Sequence, residues 1–357
     1  MAAAEPSERR DALVERLFGA ALGALDVLSV YLGVRLGLYR ALAERGSSSS
    51  EELAEATGLD ERYVREWLEQ QATTGILDLE DDGRFTLPAG HDEALLDETS
   101  LNYVAPFGKL ILACVRPIDQ LLAAYRSGDG VPYAEYGDDL HEGQAEFTRP
   151  IFDNFLGSEW FPGMPDVHER LQADPPARVA DVACGQGYST MAIARAYPKV
   201  VVDGIDLDEA SIAAAKENLT GSGLEERVTF HHRDAADPGL QGQYDLVYVH
   251  EALHDMSYPV DVLRACRGLL GEGRTVVVAD ERVADSFPAL GDDIERLYYG
   301  FSIVHCLPVG MVGDGAAGTG TVMRSDTVRR YAEEAGFGGF EVLRIENDFY
   351  RFYRLTP

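Results

Sequence analysis

The chain has 357 residues, 46% of them apolar, enough to bury one large core or two moderate ones, so a soluble two-domain protein is expected. Its 61 acidic against 31 basic side chains give a formal net charge of −30, which repels a phosphate backbone and removes the counterion release that drives most DNA binding, so nucleic acid is a poor partner. The four cysteines, Cys114, Cys184, Cys266 and Cys306, are far apart with no C-x-x-C pair, which argues against a zinc ribbon or a disulfide framework and fits a reducing cytoplasm.

The first dozen residues are alanine-rich and mixed in charge, without the apolar run and cleavage site of a signal peptide. The apolar stretch Leu17 to Val34 is interrupted by three glycines and Asp26 and followed by Arg35, so it reads as a buried helix and no membrane partner is expected. The wider region Leu13 to Leu42 is too hydrophobic to be left in solvent, and a partner chain, most simply in a homodimer, is expected to cover part of it.

From Ser47 the text reads SSSSEELAEATGLDERYVREWLEQQATTGILDLEDDGRFTLP, and Leu53, Ala54, Leu59, Val64, Trp67 and Leu68 follow helical spacing in two blocks broken at Gly58. Two short strands, at Ile76–Leu79 and Phe85–Leu87, are joined by a tight turn at Asp81-Asp82-Gly83, which completes a winged helix. Between Glu61 and Gln70 three glutamates outnumber two arginines, and the wing tip carries Glu80, Asp81 and Asp82, so this is a packing module and not a DNA reader. Residues 1–130 read as a helical and winged-helix dimerisation domain, 131–174 as a helical linker with several aromatics that could wall a pocket, and 175–357 as the catalytic domain.

After Pro175-Pro176, β-branched runs alternate with helical segments, the pattern of a doubly wound α/β sheet. Seven strands are expected, at Arg178–Val182, Val200–Ile205, Val228–His232, Tyr244–His250, Thr275–Asp280, Phe340–Glu346 and Phe349–Leu355, the last two as an antiparallel edge hairpin. The first strand runs into ADVACGQGYST, whose Asp181, Ala183, Gly185 and Gly187 alternate before a helix. Asp206, 19 residues after Gly187, stands where a strand-tip carboxylate accepts bonds from ribose hydroxyls. Asp234 is placed to accept the adenine amino group and Ala235 to supply backbone contacts, while Thr190 stands where a dinucleotide fold would keep a third glycine, so an adenosine without phosphates fits better.

The succession VADVACGQG, GIDLD, RDAAD, YDLVYVHEALHD and LLGEGRTVVVAD resembles the motifs of class I S-adenosylmethionine-dependent methyltransferases, and the winged helix ahead of it is similar to that of small-molecule O-methyltransferases and of uncharacterised actinobacterial relatives. The resemblance implies S-adenosyl-L-methionine as cofactor, with Asp181, Gly185 and Gly187 along its methionine part, Asp206 on the ribose, Asp234 at the adenine, and Ala183, Leu207, Ala235 and His250 lining the same site. Ala183 departs from the usual first glycine. The pair His254-Asp255 resembles the motif whose histidine is the general base of that family, with Met256 in place of its usual tryptophan; Asp280 falls where the family keeps a flanking glutamate, and Glu281 is the adjacent alternative. Histidine titrates near neutrality and can take a proton from a hydroxyl.

No His, Asp and Glu set has metal-ligand spacing, so no metal is expected. Tyr298, Tyr299, His305 and Arg324 fall in the insertion where related enzymes shape the acceptor pocket, and the five glycines between Val309 and Met323 suggest a lid. Methyl transfer to a hydroxyl is the leading reading; N- or C-methylation and a cofactor-binding transcriptional regulator are the alternatives.

Overall fold

In the computed structural model the residues described are 5–237, 243–288 and 290–357. Two compact units form, one of residues up to Leu112 with Glu142–Phe147, the other of Ala113–His141 and Thr148–Pro357.

The first unit begins with a helix, Pro6–Arg35, followed by helices Leu38–Arg45, Ser50–Thr57 and Glu61–Thr73. Ser49 caps the third, its side chain accepting from the Glu52 amide while Glu52 reaches back, and Asp60 caps the fourth. The wing is a pair of two-residue antiparallel strands, Asp78–Leu79 and Phe85–Thr86. Leu38, Tyr39, Leu42, Leu53, Leu68 and Leu77 form the core, with Trp67 edge-on to Tyr39. Both arginines of the Glu61–Thr73 helix are tied to glutamates of the same helix, Arg62 to Glu66 and Arg65 to Glu61.

The first helix is not the buried helix expected from its composition: Leu13, Leu17, Phe18, Leu22, Leu25, Leu28 and Leu32 are exposed, and Gly33 is its one buried residue. The reason lies in its far end. A side chain at Gly33 would meet the Trp67 and Tyr39 rings at 2.5 Å, and Trp67 donates to the Ser29 carbonyl while Gln70 donates to Asp26. Those few contacts complete the small core and leave the rest of the helix uncovered. By length and composition it could also span a membrane.

The second unit holds a seven-stranded sheet: β1 Arg178–Val182, β2 Val201–Asp206, β3 Val228–His232, β4 Tyr244–His250, β5 Leu270–Glu281, β6 Gly339–Val342 and β7 Tyr350–Thr356, in the order β3-β2-β1-β4-β5-β7-β6. β1 to β5 are parallel, and β7 is antiparallel to both β5 and β6. The edge hairpin is as expected, but β6 stops at Val342, short of Glu346, and β5 begins at Leu270. Period-two alternation sorts the sheet into two cores: Val179, Val202, Leu246 and Tyr248 pack with Leu156, Trp160 and Met191, while Ala180, Val182, Val247 and Val249 pack with Leu263 and Tyr331. The order reverses between β1 and β4, so a crevice opens at their carboxyl ends.

Candidate active site

The loop after β1 is held from below and from the side. Ala183 donates its amide to the Ile205 carbonyl at 2.8 Å, and Gly185 donates to Asp206 Oδ2 at 2.8 Å. Ala183 and Glu251 are the only non-glycine residues among those described with positive φ, at 60° and 49°. That conformation costs an L-residue about 1–2 kcal/mol, and such strain collects where function requires it. A Cβ at Gly187 would lie 2.3 Å from Phe230 Cζ, and one at Gly204 2.5 Å from Phe230 Cδ1, so this buried ring is the floor on which the loop rests. Above Gly185, in contrast, none of the described residues lies within 4 Å of where a side chain would be.

Asp181 is 1% exposed and accepts from Ser189 Oγ and Thr190 Oγ1, both at 2.6 Å; burial lifts its pKa to about 6 against those two bonds. Its carboxyl thus fastens the start of helix Tyr188–Ala196, and Thr190 is there to meet it. Asp206 at the tip of β2 also accepts from the Asp208 amide at 2.8 Å, and burial raises its pKa. Leu207 beside it is exposed. The turn after β3 is tied to β2 by Arg233, which donates to the Asp206 carbonyl; there Asp234 is exposed and accepts from the Ala236 amide, with Ala235 half-buried between.

His250, at the tip of β4, is buried under aromatic rings. It stacks on Trp160 at 5.4 Å, meets Tyr350 at 4.5 Å and bonds Tyr248 through Nδ1. Burial pulls its pKa down to about 3, so it is neutral. Among the described residues neither His250 Nε2 nor Trp160 Nε1 has a hydrogen-bond partner.

One residue further begins a cluster of acids around a single imidazole. His254, 2% exposed, donates from Nδ1 to Asp280 Oδ1 at 2.7 Å, has Glu281 Oε2 at 2.9 Å from the same nitrogen, and has Asp255 Oδ1 at 3.1 Å from Nε2. Asp280 and Glu281 thus both reach the ring, from the end of β5. Burial alone would lower the histidine's pKa, but Glu281, Asp255 and Asp280 outweigh it and hold the ring as an imidazolium. In return Asp255 is held ionised, at about 2 in spite of burial, and Asp280 is lowered, while burial drives Glu281 well above the usual carboxyl range. The fold brings the donor atoms of His254, Asp280 and Glu281, and of His254, Asp255 and Cys306, within 4.8 Å of one another, a convergence that sequence spacing did not display. The positive charge at their centre is the imidazolium itself.

Three further side chains flank the cluster: His305 of the insertion, and Tyr133 and His141, which carry no sequence signal beyond their aromaticity. The Tyr133 ring stacks on His141 at 4.8 Å and meets His305 edge-on at 5.8 Å, and Asp206, Asp255 and Asp208 act on its hydroxyl. Nε2 of His141 and of His305 has no hydrogen-bond partner among the described residues. In the insertion, Tyr298 donates to the Phe349 carbonyl, and Arg324 pairs with Glu295 and bonds Tyr299. The glycine-rich segment is fastened there: Ala317 donates to the Ser257 carbonyl, Gly318 to Gly310 and Gly320 to His254.

Residues 173–336 match the methyltransferase domain family, and residues 23–97 match the Rv2258c-like winged HTH domain family. Mitomycin biosynthesis 6-O-methyltransferase of Streptomyces lavendulae is 28% identical over 74% of this chain and 77% of its own length. Ubiquinone biosynthesis O-methyltransferase of Marinobacter nauticus is 37% identical, over 29% of this chain and 43% of its own; the chain spans less than half of several such curated relatives. Among solved structures, the mitomycin 7-O-methyltransferase MmcR superposes with a TM-score of 0.72 at 20% identity over 98% of this chain and 99% of that one. Human N-acetylserotonin methyltransferase, solved with S-adenosylmethionine, does so with 0.72 at 14% identity over 100% and 99%. These likenesses establish the shared fold.

The chain therefore carries a methyltransferase domain of the S-adenosylmethionine-dependent class behind a winged-helix domain. The residues present suit that cofactor: among the described residues nothing lies within 4 Å of where a side chain at Gly185 would be, and the Asp206 carboxylate at the tip of β2 lies beside that loop, bonded to the Gly185 amide.

Proposed function

We propose that the protein transfers a methyl group from S-adenosylmethionine to a hydroxyl oxygen of a small-molecule acceptor, and that the acceptor's proton goes to the cluster centred on His254. The observation that carries this reading is the buried imidazole with carboxylates on both nitrogens, one strand tip away from the glycine loop and Asp206. When bound, the cofactor supplies an electrophilic methyl on a sulfonium. Asp206 would hold the ribose, Leu207, Asp234 and Ala235 would border the adenine, and the residues of the Gly185–Gly187 loop would border the methionine part. Tyr133, His141 and His305 would face the acceptor and exclude water, which leaves alignment and proton removal as the chain's chief tasks. The names of the mitomycin O-methyltransferases to which the chain is similar support a small hydroxylated acceptor.

The test is His254→Ala, assayed with phenols, hydroxyacids and amines as acceptors. Turnover is expected to fall about 10²- to 10⁴-fold with S-adenosylhomocysteine affinity retained. Full turnover with a hydroxyl acceptor would make His254 structural and favour nitrogen or carbon as the nucleophile.

The same reading includes a homodimer in which the exposed apolar face of Pro6–Arg35 packs on a second copy. Its support is that Asp26 and Ser29 of this helix are engaged with Gln70, Gln71 and Trp67, which anchors the helix to the winged-helix core and leaves one side open. A cytoplasmic location is supported by the four buried, unbridged cysteines.

A further inference from the structure

We propose that His305 selects the acceptor: its bare Nε2 accepts a hydrogen bond from a second hydroxyl beside the one being methylated, so vicinal dihydroxy aromatics are preferred over monohydroxy ones. The proposal rests on the methyl-transfer reading and assigns a specificity-determining residue within that site.

His305 belongs to the wide π-helical turn Ser302–Cys306 that continues helix Asp293–Phe301, and such turns are frequent at functional sites. The residue is 5% exposed and its ring is held in place. Tyr136 lies edge-on to it at 4.6 Å and donates its hydroxyl to the Val304 carbonyl at 2.9 Å, which pins the backbone just before it. Cys306 Sγ lies 3.4 Å from Nδ1, and the same sulfur is within 4.8 Å of a ring nitrogen of His254 and a carboxylate oxygen of Asp255. Tyr133, edge-on to His305, feels the charges of Asp206 and Asp208 at the tip of β2 and of Asp255 after β4. An acceptor that reaches both the cofactor methyl and the His254 cluster therefore has to lie against this group.

Which ring nitrogen of His305 carries the proton follows from its neighbours. Burial lowers its pKa against the pull of Asp255, and the charge of His254 lowers it further, so the ring is neutral and holds one proton. In the contact between Nδ1 and Cys306, one of the two groups donates. Burial raises the thiol's pKa and keeps it protonated. That proton has a stronger acceptor than an imidazole in the Asp255 carboxylate, which the charge of His254 holds ionised against burial and to which Cys306 also hydrogen-bonds. The thiol thus turns its proton to Asp255, and the sulfur accepts from Nδ1. Nε2 is left with a bare lone pair, and none of the described residues donates to it. A buried acceptor without a donor is costly, and a ligand that brings the donor recovers that cost.

The shape of the ligand follows from what surrounds the lone pair. Cys306 links His305 to His254 and Asp255 over short distances, so the lone pair and the proton-accepting cluster stand close together. Two oxygens on adjacent ring carbons, each with a hydrogen bond of about 2.8 Å, can meet both at once, and a lone hydroxyl meets only one. The Tyr133 and His141 rings, stacked with their planes 15° apart, offer a flat surface to a planar acceptor. A methoxy group or a hydrogen at the second position brings no donor and leaves Nε2 unmatched.

The test uses the full chain with S-adenosylmethionine and three acceptors: catechol, guaiacol, whose second oxygen cannot donate, and phenol, which has no second oxygen. In kcat/KM, catechol is expected to be favoured over the other two by about 10- to 100-fold. In His305→Phe, which keeps a ring and loses the lone pair, both ratios should fall to the statistical value for two equivalent hydroxyls. His305→Gln, whose amide oxygen can accept, should restore part of the preference. Ratios taken within one variant are not moved by a general loss of rate. A His305→Phe enzyme with the parent's preference overturns the proposal, as does a parent enzyme with none. The proton on the ring is read without turnover, by nitrogen NMR of the histidine-labelled chain bound to S-adenosylhomocysteine, with His305→Gln giving the assignment. An unprotonated Nε2 whose resonance moves on adding catechol and stays on adding veratrole, which has no hydroxyl, supports the proposal. A protonated Nε2, or one that catechol leaves unmoved, overturns it. Absence of methyl transfer to all three acceptors with that response intact would count against the methyl-transfer reading instead.

Discussion

Replacing His254 by alanine removes the one positive charge from a group of buried acids, and the cost to stability can be worked from their positions. Asp280 is 1% exposed and Asp255 has 18% of its side chain exposed, and both are ionised because the imidazolium faces them at 2.7 and 3.1 Å. Breaking a buried pair by deleting one partner costs about 3–5 kcal/mol, since the remaining charge is left uncompensated. For a unit of this size about 1 kcal/mol moves Tm by about 2–4 °C, so a fall of about 6–20 °C is expected. The pH dependence has a definite sign. In the parent, the raised His254 pKa contributes stability that is complete below its unfolded value of 6.5 and lost as pH rises through the higher folded value. The lowered Asp255 contributes stability present above its unfolded value of 3.8 and lost as pH falls through about 2. In the variant both aspartates lose the charge that held them down, so burial raises them, and a raised carboxyl destabilises increasingly as pH climbs above its unfolded value. The deficit should therefore be largest near neutrality and shrink toward about pH 4, where the acids take up protons. Urea unfolding at several pH values, followed by circular dichroism and with cofactor binding as the check on folding, measures it. A deficit under about 1 kcal/mol that stays constant with pH would refute the argument that His254 holds these charges.

Three more outcomes follow from the site and the first helix. Asp206→Ala should weaken S-adenosylhomocysteine binding about 10- to 100-fold by calorimetry, the worth of one charge-assisted hydrogen bond or two, and unchanged affinity would remove Asp206 from the ribose. Gly187→Ala forces a methyl to 2.3 Å from Phe230 at a φ of 82°, so a loss of about 2–4 kcal/mol in stability is expected, and a melt equal to the parent's would mean the Phe230 floor yields freely. Light scattering should give twice the 39.0 kDa chain mass, and Leu17→Arg with Phe18→Arg should halve it; a parent chain already at 39.0 kDa would end the dimer proposal.

Much of the catalytic unit was legible because strands and strand tips are local facts. Alternating β-branched runs located all seven strands, and small residues after the first, with carboxylates ending the second and following the third, marked the strand tips at which the cofactor site is proposed. The His254-Asp255 pair pointed to the chemistry through its resemblance to a known motif. What spacing does not carry is which side chains meet across strands. Asp280 and Glu281 reach the His254 ring only because β4 and β5 pair side by side. The floor under Gly187 and Gly204 is Phe230, a residue of β3 whose apolar character marks it merely as core. Tyr133 and His141 lie more than a hundred residues before His254 and come to its neighbourhood through packing alone. The first helix shows the opposite failure, since composition marks an apolar face but not what lies against it, and in the single chain its last turns suffice to complete the winged-helix core. Local pattern therefore determined the elements of this protein and the strand tips at which its cofactor site is proposed. The charge state of His254 was decided by tertiary structure, because burial and the distance between charges exist only once the strands have paired.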